Sequence, residues 1–289
     1  MPPLAETAIG VDVGGTHVRA ARIGPGGDIL ASLAEPTDPT RTGFSAQLVR
    51  MAEALRNTET TCIGVGLPGR IDGAGQRILS AGYLDIAGLD VPGLLRAATG
   101  LGARIENDAT MALAAEARDR PATGVFCMVT IGTGIGGAIR AGGRPWHGGG
   151  CAGQFGHIAV SGDGPRCKCG RTGCVETFSS GTALARLLAD WPAGTRAEDL
   201  LDRAEAGDAA AEAVLVAWAA PLERALHSVV AVANPDRIVI GGGLGAAMVR
   251  AWARLPGGSD WYPLPIVPAR LGDRAGVIGA GLVALEARA

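Results

Sequence analysis

Twice in this chain a run of β-branched and small apolar residues breaks at a cluster of glycines and then resumes as a second such run. Residues 8–14, AIGVDVG, and 18–23, VRAARI, flank Gly14, Gly15 and Thr16; about 118 residues later FCMVTIGTGIGGAIRAGG repeats the theme around Gly132, Thr133 and Gly134. Such runs joined through residues that tolerate unusual backbone angles predict strand, tight turn, strand. The repetition predicts two lobes of related design. Length agrees, because 289 residues and 29.1 kDa exceed the usual size of one compact core. The 46 glycines follow no fixed period, so turns and close backbone approaches are their expected use.

Between the two themes the chain alternates in type. A helical stretch at 44–56 (FSAQLVRMAEALR) precedes a strand at 61–66 (TCIGVG) that ends in Pro68-Gly69, and a strand at 103–106 (ARIE) runs into Asn107-Asp108 and a helix from about 109 to 118. That rhythm predicts an α/β protein. The polar, breaker-rich DRPATG at 119–124 marks the boundary between a first lobe, 1–118, and a second, 119–275. Helices are expected near 180–190, 197–218 and 221–233, then a strand at 237–243 (RIVIGGG) and a closing helix in AGVIGAGLVALEAR.

Composition narrows the class of partner. With 47% hydrophobic and 19% charged residues the chain is too apolar for disorder, and a net charge of -2 with a pI near 6.1 gives no general attraction to nucleic acid or anionic membrane. A small polar substrate is expected. The start, MPPLAETAIGVDVGG, has no basic segment followed by an apolar one, and no stretch reaches 18 consecutive apolar residues, so the expected location is cytoplasmic.

Four constellations carry chemistry. In Asp12-Val13-Gly14-Gly15-Thr16 the glycines let backbone N–H groups approach an anion, the Thr16 hydroxyl can donate to a phosphate, and Asp12 can hold a hydrated Mg²⁺. One such turn alone is more often a plain hairpin; a second at Gly132-Thr133-Gly134 supplies a donor loop from each lobe. Neither matches a P-loop, and GTGIGG leads back into a strand rather than a helix, which excludes a dinucleotide fingerprint. Third, Asp108 at a helix start is either an N-cap or a carboxylate placed to take a hydroxyl proton, with Asn107 able to orient the hydroxyl's owner. Fourth, GQFGHIAVSGDGPRCKCGRTGCVE offers His157, Cys167, Cys169 and Cys174, one nitrogen and three thiolates, a closed set for a structural Zn²⁺. Cys62, Cys127 and Cys151 sit in apolar or small-residue settings and read as buried thiols, His147 and His227 carry nothing beyond surface or helix positions, and His17 lies beside the first glycine turn, an adjacency that alone assigns it no role.

In this order the four constellations resemble the ROK family (repressors, open reading frames, kinases) of the sugar kinase and actin superfamily, over nearly the whole chain from DVGGT through END, GTGIGG, AGQFGH and CKCGRTGCVE to NPDRIVIGGG. The resemblance implies a two-lobed, actin-like α/β ATPase fold with ATP and sugar meeting in an interlobe cleft. It also implies a closing helix, about 276–289, packed back on the first lobe, and a homodimer formed through the second. It assigns Asp108 as catalytic base. Asn107, Asp108, Gln154, His157 and Glu176, with Gly69 and Tyr83, go to the sugar. Asp12, Gly14, Gly15, Thr16, Gly132, Thr133, Gly134, Gly241, Gly242 and Gly243 go to ATP and Mg²⁺, and His157, Cys167, Cys169 and Cys174 to zinc. Two positions depart from the family pattern. Gln154 stands where a glutamate is usual, and Tyr83 in Gly82-Tyr83-Leu84 replaces an asparagine. Both concern the sugar and neither the phosphate. Family members acting on N-acetylmannosamine also look altered at the glutamate, while PWHGG and ETFSSGTAL look somewhat like allose kinases. The expected activity is ATP-dependent phosphorylation of a hexose or N-acylhexosamine, at the 6-hydroxyl. The alternatives are a sugar-binding protein of weak activity or a sugar-responsive regulator, the latter disfavoured because the first strand begins near residue 8.

Overall fold

The structure is a computed structural model that describes residues 6–72, 76–82, 84–121, 123–258 and 261–288. In chain order its elements are β1 (Thr7–Val13), β2 (His17–Ile23), β3 (Ile29–Pro36), α1 (Arg41–Leu55), β4 (Thr60–Leu67), β5 (Arg70–Ile71), β6 (Ile78–Ser80), α2 (Val91–Thr99), β7 (Gly102–Asn107) and α3 (Asp108–Glu116). There follow β8 (Val125–Ile131), β9 (Ile135–Ala141), β10 (Arg144–Pro145), α4 (Glu176–Ser179), α5 (Gly181–Leu187), α6 (Ala197–Glu205), α7 (Ala209–Ala233), β11 (Arg237–Gly241), α8 (Gly245–Trp252), β12 (Ile266–Pro268) and α9 (Ala275–Glu286). Two compact units result. The first comprises Met1–Arg120, Pro145–Ala152 and Asp273–Ala289, the second Pro121–Arg144 and Gly153–Gly272.

In the first unit the sheet runs β3-β2-β1-β4-β7, with β2 antiparallel to β1 and β3, and β1, β4 and β7 mutually parallel. Side chains alternate faces with period two. Ile9, Val11 and Val13 of β1 therefore join Ile63, Val65 and Ile105 in one core, against Phe44, Leu48, Met51 and Leu55 of α1. Those four recur at helical spacing, and each contributes about 1.5–3 kcal/mol of burial. Thr40 starts the helix by accepting the Gly43 N–H at 3.1 Å. The opposite residues of β1 and β4 face α9, which lies so close that a Cβ on Gly10 or Gly64 would run into the carbonyls of Val277 and Ala280. Asp12 falls on that same face.

The second unit repeats the pattern as β10-β9-β8-β11-β12, with β8 antiparallel to β9 and parallel to β11. Each glycine theme thus opens a five-stranded mixed sheet at its β-hairpin. The helical region differs from the sequence expectation of a break before Pro221. Helix α6 ends at Glu205, Asp208 caps α7 by accepting from Ala210 and Ala211, and α7 continues through Pro221 to Asn234. An interior proline costs about 3 kcal/mol. Leu215, Trp218, Leu222 and Leu226, all fully buried at helical spacing, outweigh it. By length and composition α7 is apolar enough to cross a membrane, yet it carries Glu212, Glu223 and Arg224 and packs in the core of its unit.

Candidate active site

Parallel pairing fixes which residues of the first unit share a sheet edge. The register sets Asp12 beside Gly66 and Gly66 beside Glu106, with Leu67 beside Asn107, so β1, β4 and β7 end together. The carboxyl ends of parallel strands are where α/β proteins bind ligands. Asp108 follows as the first residue of α3. The cap is not Asp108 but Asn107, whose Oδ1 accepts from Ala109 N at 3.0 Å and Thr110 N at 3.3 Å. Its Nδ2 donates to the Gly69 carbonyl at 3.0 Å, which leaves one amide hydrogen for a ligand. Gly69 has φ 93°, and a Cβ there would run into the Ser80 carbonyl, so this sharp turn requires glycine.

With Asn107 capping the helix, the Asp108 carboxylate is not the cap. It is half-buried and accepts from its neighbour's Ala109 N–H at 2.8 Å. Burial pushes its carboxyl up to about 6, against the opposing pull of that N–H and of Asn107. Asp12 is pushed to about 7, first by burial and then by the charge of Asp108, with Arg19 opposing. Its carboxyl faces Gly276 at the start of α9, where a Cβ would lie 2.5 Å from Asp12 Cγ. Two carboxylates that repel one another at a strand edge make a strong cation site or proton acceptor. Beside Asp12, Gly14 donates to the His17 carbonyl at 2.9 Å and closes a turn whose Gly15 and Thr16 are exposed. The Thr16 hydroxyl lies 3.2 Å from His17 Nδ1.

Two residues differ from the sequence expectation. His147, read as a surface position, pairs through Nε2 with Glu106 Oε2 at 3.1 Å, and Glu106 is buried. The other Glu106 oxygen accepts from Asn107 N at 2.7 Å, and the His147 carbonyl accepts from Gly150 and Ala152 at 2.8 and 3.1 Å. The pair is 41 positions apart in sequence, and no local pattern announces it. Cys151, read as buried, is exposed in the turn that His147 closes; Cys62 and Cys127 are buried.

In the second unit β8 and β11 are parallel neighbours, with Thr130 beside Gly241, so the turns that follow them lie at one edge. Gly132 N donates to the Gly134 carbonyl at 3.0 Å. Gly242 has φ 81° and sits against Ile131, 2.5 Å from its carbonyl oxygen were a Cβ added, while Leu244 N donates to that same carbonyl at 2.9 Å. Gly132-Thr133-Gly134 and Gly241-Gly242-Gly243 thus line a single edge of bare backbone, a surface suited to close approach by an anionic ligand.

Gln154 and His157 belong to a segment that packs against β9. Gln154 precedes a 3-10 turn at Phe155–His157 and its side chain makes no capping hydrogen bond. His157 Nδ1 lies 3.5 Å from Cys167 Sγ, Cys169 Sγ lies 3.5 Å from Cys174 Sγ, and all four ligand atoms fall within 4.8 Å of one another. A tetrahedral zinc with Zn–S bonds of ~2.3 Å sets sulfurs ~3.8 Å apart, so the set fits that ion. The thiols also pull in opposite directions. The Arg171 N–H lowers Cys169 to about 7, while burial and then hydrogen bonding with the other sulfurs lift Cys174 to about 12. Sulfurs crowded this way share negative charge best around a cation. Because Nδ1 faces the thiols, His157 Nε2 is left for a second partner. Glu176 opens α4, two residues beyond Cys174, and its Oε2 accepts from Ile135 N at 2.9 Å. Tyr83 lies outside the described residues.

The ROK family profile matches residues 8–287. A glucokinase of Halalkalibacterium halodurans is 32% identical over 311 aligned positions, covering 94% of this chain and 93% of that one. An N-acetylmannosamine kinase of Escherichia coli is 31% identical over 293 positions, covering 96% and 98%. Among solved structures, a ROK family glucokinase from Streptomyces griseus in complex with glucose and AMPPNP matches with a TM-score of 0.82 at 28% identity, over 97% of this chain and 99% of that one.

Proposed function

This chain belongs to the ROK family and has the actin-like ATPase fold of its sugar kinases, and from that premise we propose that it transfers the γ-phosphoryl group of ATP to the 6-hydroxyl of a hexose or N-acylhexosamine, with Asp108 as base. The observation that carries the assignment is the division of labour at the end of β7. Asn107 takes the cap, so Asp108 stands at the strand edge without serving as the cap, its Oδ1 accepting the Ala109 N–H. A carboxyl raised to about 6 is ionised at neutral pH and still a better proton acceptor than an ordinary aspartate. Asp108 accepts the hydroxyl proton as the oxygen attacks phosphorus. The remaining Asn107 amide hydrogen holds the sugar, with Gly69, Tyr83, Gln154, His157 and Glu176 completing its contacts. Gly14, Gly15, Thr16 and Gly132–Gly134 donate to the phosphates, and Gly241–Gly243 accommodate the adenosine. Asp12 is the residue for Mg²⁺, which when bound neutralises charge on the β- and γ-phosphate oxygens. Zinc at His157, Cys167, Cys169 and Cys174 is structural, since four protein ligands leave no open position. The family reading extends to a cytoplasmic homodimer.

Relatives of nearly equal similarity act on glucose and on N-acetylmannosamine, so overall identity does not choose the sugar. Gln154 does. An ionised glutamate there only accepts hydrogen bonds, whereas glutamine also donates, which suits an acetamido carbonyl or a hydroxyl of altered stereochemistry. Hydrogen bonds to a charged group are worth about 1.5–3 kcal/mol against about 1 for neutral ones, so losing the carboxylate weakens glucose about tenfold. The test is kcat/KM for glucose, allose, N-acetylmannosamine and N-acetylglucosamine on the unaltered chain and on Gln154→Glu. Glucose is expected to be a poor substrate that Gln154→Glu improves relative to the others. Glucose emerging as the best substrate of the unaltered chain would refute the reading of Gln154.

A further inference from the structure

The second glycine turn does not hold its own shape. Apart from the Gly132 N–H bond to Gly134 O at 3.0 Å, its anchors come from outside. On one shoulder the start of α5 reaches over: Gly181 N donates to Gly132 O at 2.8 Å, and the Thr182 hydroxyl donates to Thr133 O at 2.8 Å. That helix start is itself fixed, because the buried Trp218 Nε1 donates to Ser180 O at 3.1 Å. On the other shoulder stands one side chain. Glu176 Oε2 accepts from Ile135 N at 2.9 Å, where the turn re-enters β9, and lies so near that a Cβ on Gly134 would be 2.5 Å from it.

We propose that Glu176 is a positioning residue for the Gly132–Gly134 turn, clamping that turn for nucleotide phosphate through Oε2 while Oε1 stays available to the sugar. The inference rests on the kinase reading above and adds to it a coupling inside the second unit. Glu176 begins α4 directly after the zinc segment: Cys174 O accepts from the Thr177 N–H and hydroxyl, and Val175 N donates to Ile158 O at 2.9 Å. The carboxylate therefore ties the ordered metal segment to the phosphate turn. A sugar ligand at Oε1 and a nucleotide at the turn share one side chain, so each favours the arrangement the other uses.

The test is calorimetric binding of Mg·ADP without sugar, and of the best sugar without nucleotide, to the unaltered chain, Glu176→Ala, Glu176→Gln and Gly134→Ala. Glu176→Ala leaves the Ile135 N–H without its charged acceptor and is expected to weaken Mg·ADP about five- to twentyfold. Glu176→Gln keeps an acceptor oxygen and is expected to stay within about twofold of the unaltered chain. A role in sugar binding alone would leave Mg·ADP unmoved in both. Gly134→Ala is an independent probe, because Gly134 is not among the residues of positive φ and the added methyl meets only the end of the Glu176 side chain. It should displace the carboxylate and weaken Mg·ADP as Glu176→Ala does, with no further loss when the two are combined. Unchanged Mg·ADP affinity in Glu176→Ala and Gly134→Ala, beside intact binding by the unaltered chain, overturns the clamp and leaves the kinase reading standing. Additive losses in the double variant overturn it too. Failure of the unaltered chain to bind Mg·ADP defeats the kinase reading and the clamp together.

Discussion

Asp108→Asn should make the chain more stable as well as inactive, and the size of the gain follows from the site. Burial lifts the Asp108 carboxyl from its ordinary 3.8 to about 6. Between those values the folded chain holds a proton that the unfolded chain has released. Stability from that proton is fully present below about pH 4 and is lost as pH rises through about 6. At about 1.4 kcal/mol per pH unit the ionised group costs up to about 3 kcal/mol at pH 8. Asp108 is only half-buried, so solvent screening reduces this to about 1–2 kcal/mol. Asparagine keeps the oxygen that accepts the Ala109 N–H and removes the charge. It also relieves Asp12, which the Asp108 charge helps to raise to about 7. In a chain of this size about 2–4 °C accompanies each kcal/mol, so Tm at pH 8 should rise by roughly 2–8 °C. Thermal denaturation in magnesium-free buffer at pH 8 and pH 4.5 measures it. The gain should shrink to about a third at pH 4.5, where the native aspartate is neutral while the unfolded one is still mostly ionised. A gain of equal size at both values, or a loss at pH 8, would refute the argument from burial.

The zinc segment and the Glu106–His147 pair give two further expectations. Cys169→Ser, or removal of metal by a chelator, should lower Tm and reduce the zinc-to-protein ratio measured by elemental analysis if, as proposed, the four ligand atoms that lie within 4.8 Å of one another hold one ion and order the loop between them; a metal-free chain of unchanged Tm and full activity would contradict this. His147→Ala should cost about 1–3 kcal/mol in denaturant unfolding by leaving the buried Glu106 Oε2 without its side-chain partner, and Glu106→Gln in the same background should recover part of the loss, since an unpaired neutral amide costs less to bury than an unpaired carboxylate.

Residues close in sequence declared themselves, and residues brought together by the sheets did not. The glycine turns were legible because Gly14-Gly15 and Gly132–Gly134 interrupt β-branched runs, and the metal set because Cys167, Cys169 and Cys174 cluster beside His157. Asp108 was legible as a strand-to-helix junction, though Asn107 proved to be the cap. What stayed hidden depends on register and packing. Nothing local aligns Asp12 with Gly66 and Glu106, brings His147 to Glu106, or turns Glu176 onto Ile135. The helices α2 and α8 and the strand β12 carry only brief apolar periodicity, and β3, an edge strand of eight residues, buries none of them fully. Pro221 misled for the opposite reason, since a local breaker was overruled by four buried side chains of α7.

Phosphoryl transfer to a sugar with Asp108 as base is read out by sugar-dependent ADP release. The unaltered chain, given Mg·ATP and a panel of hexoses and N-acetylhexosamines, should release ADP in step with formation of a sugar phosphate, while Asp108→Asn, folded and binding the same sugar, should lose about 10²- to 10⁴-fold in kcat. No sugar-dependent ADP release across the panel would rule out a sugar kinase, and an Asp108→Asn variant that keeps most of the unaltered kcat would rule out Asp108 as base.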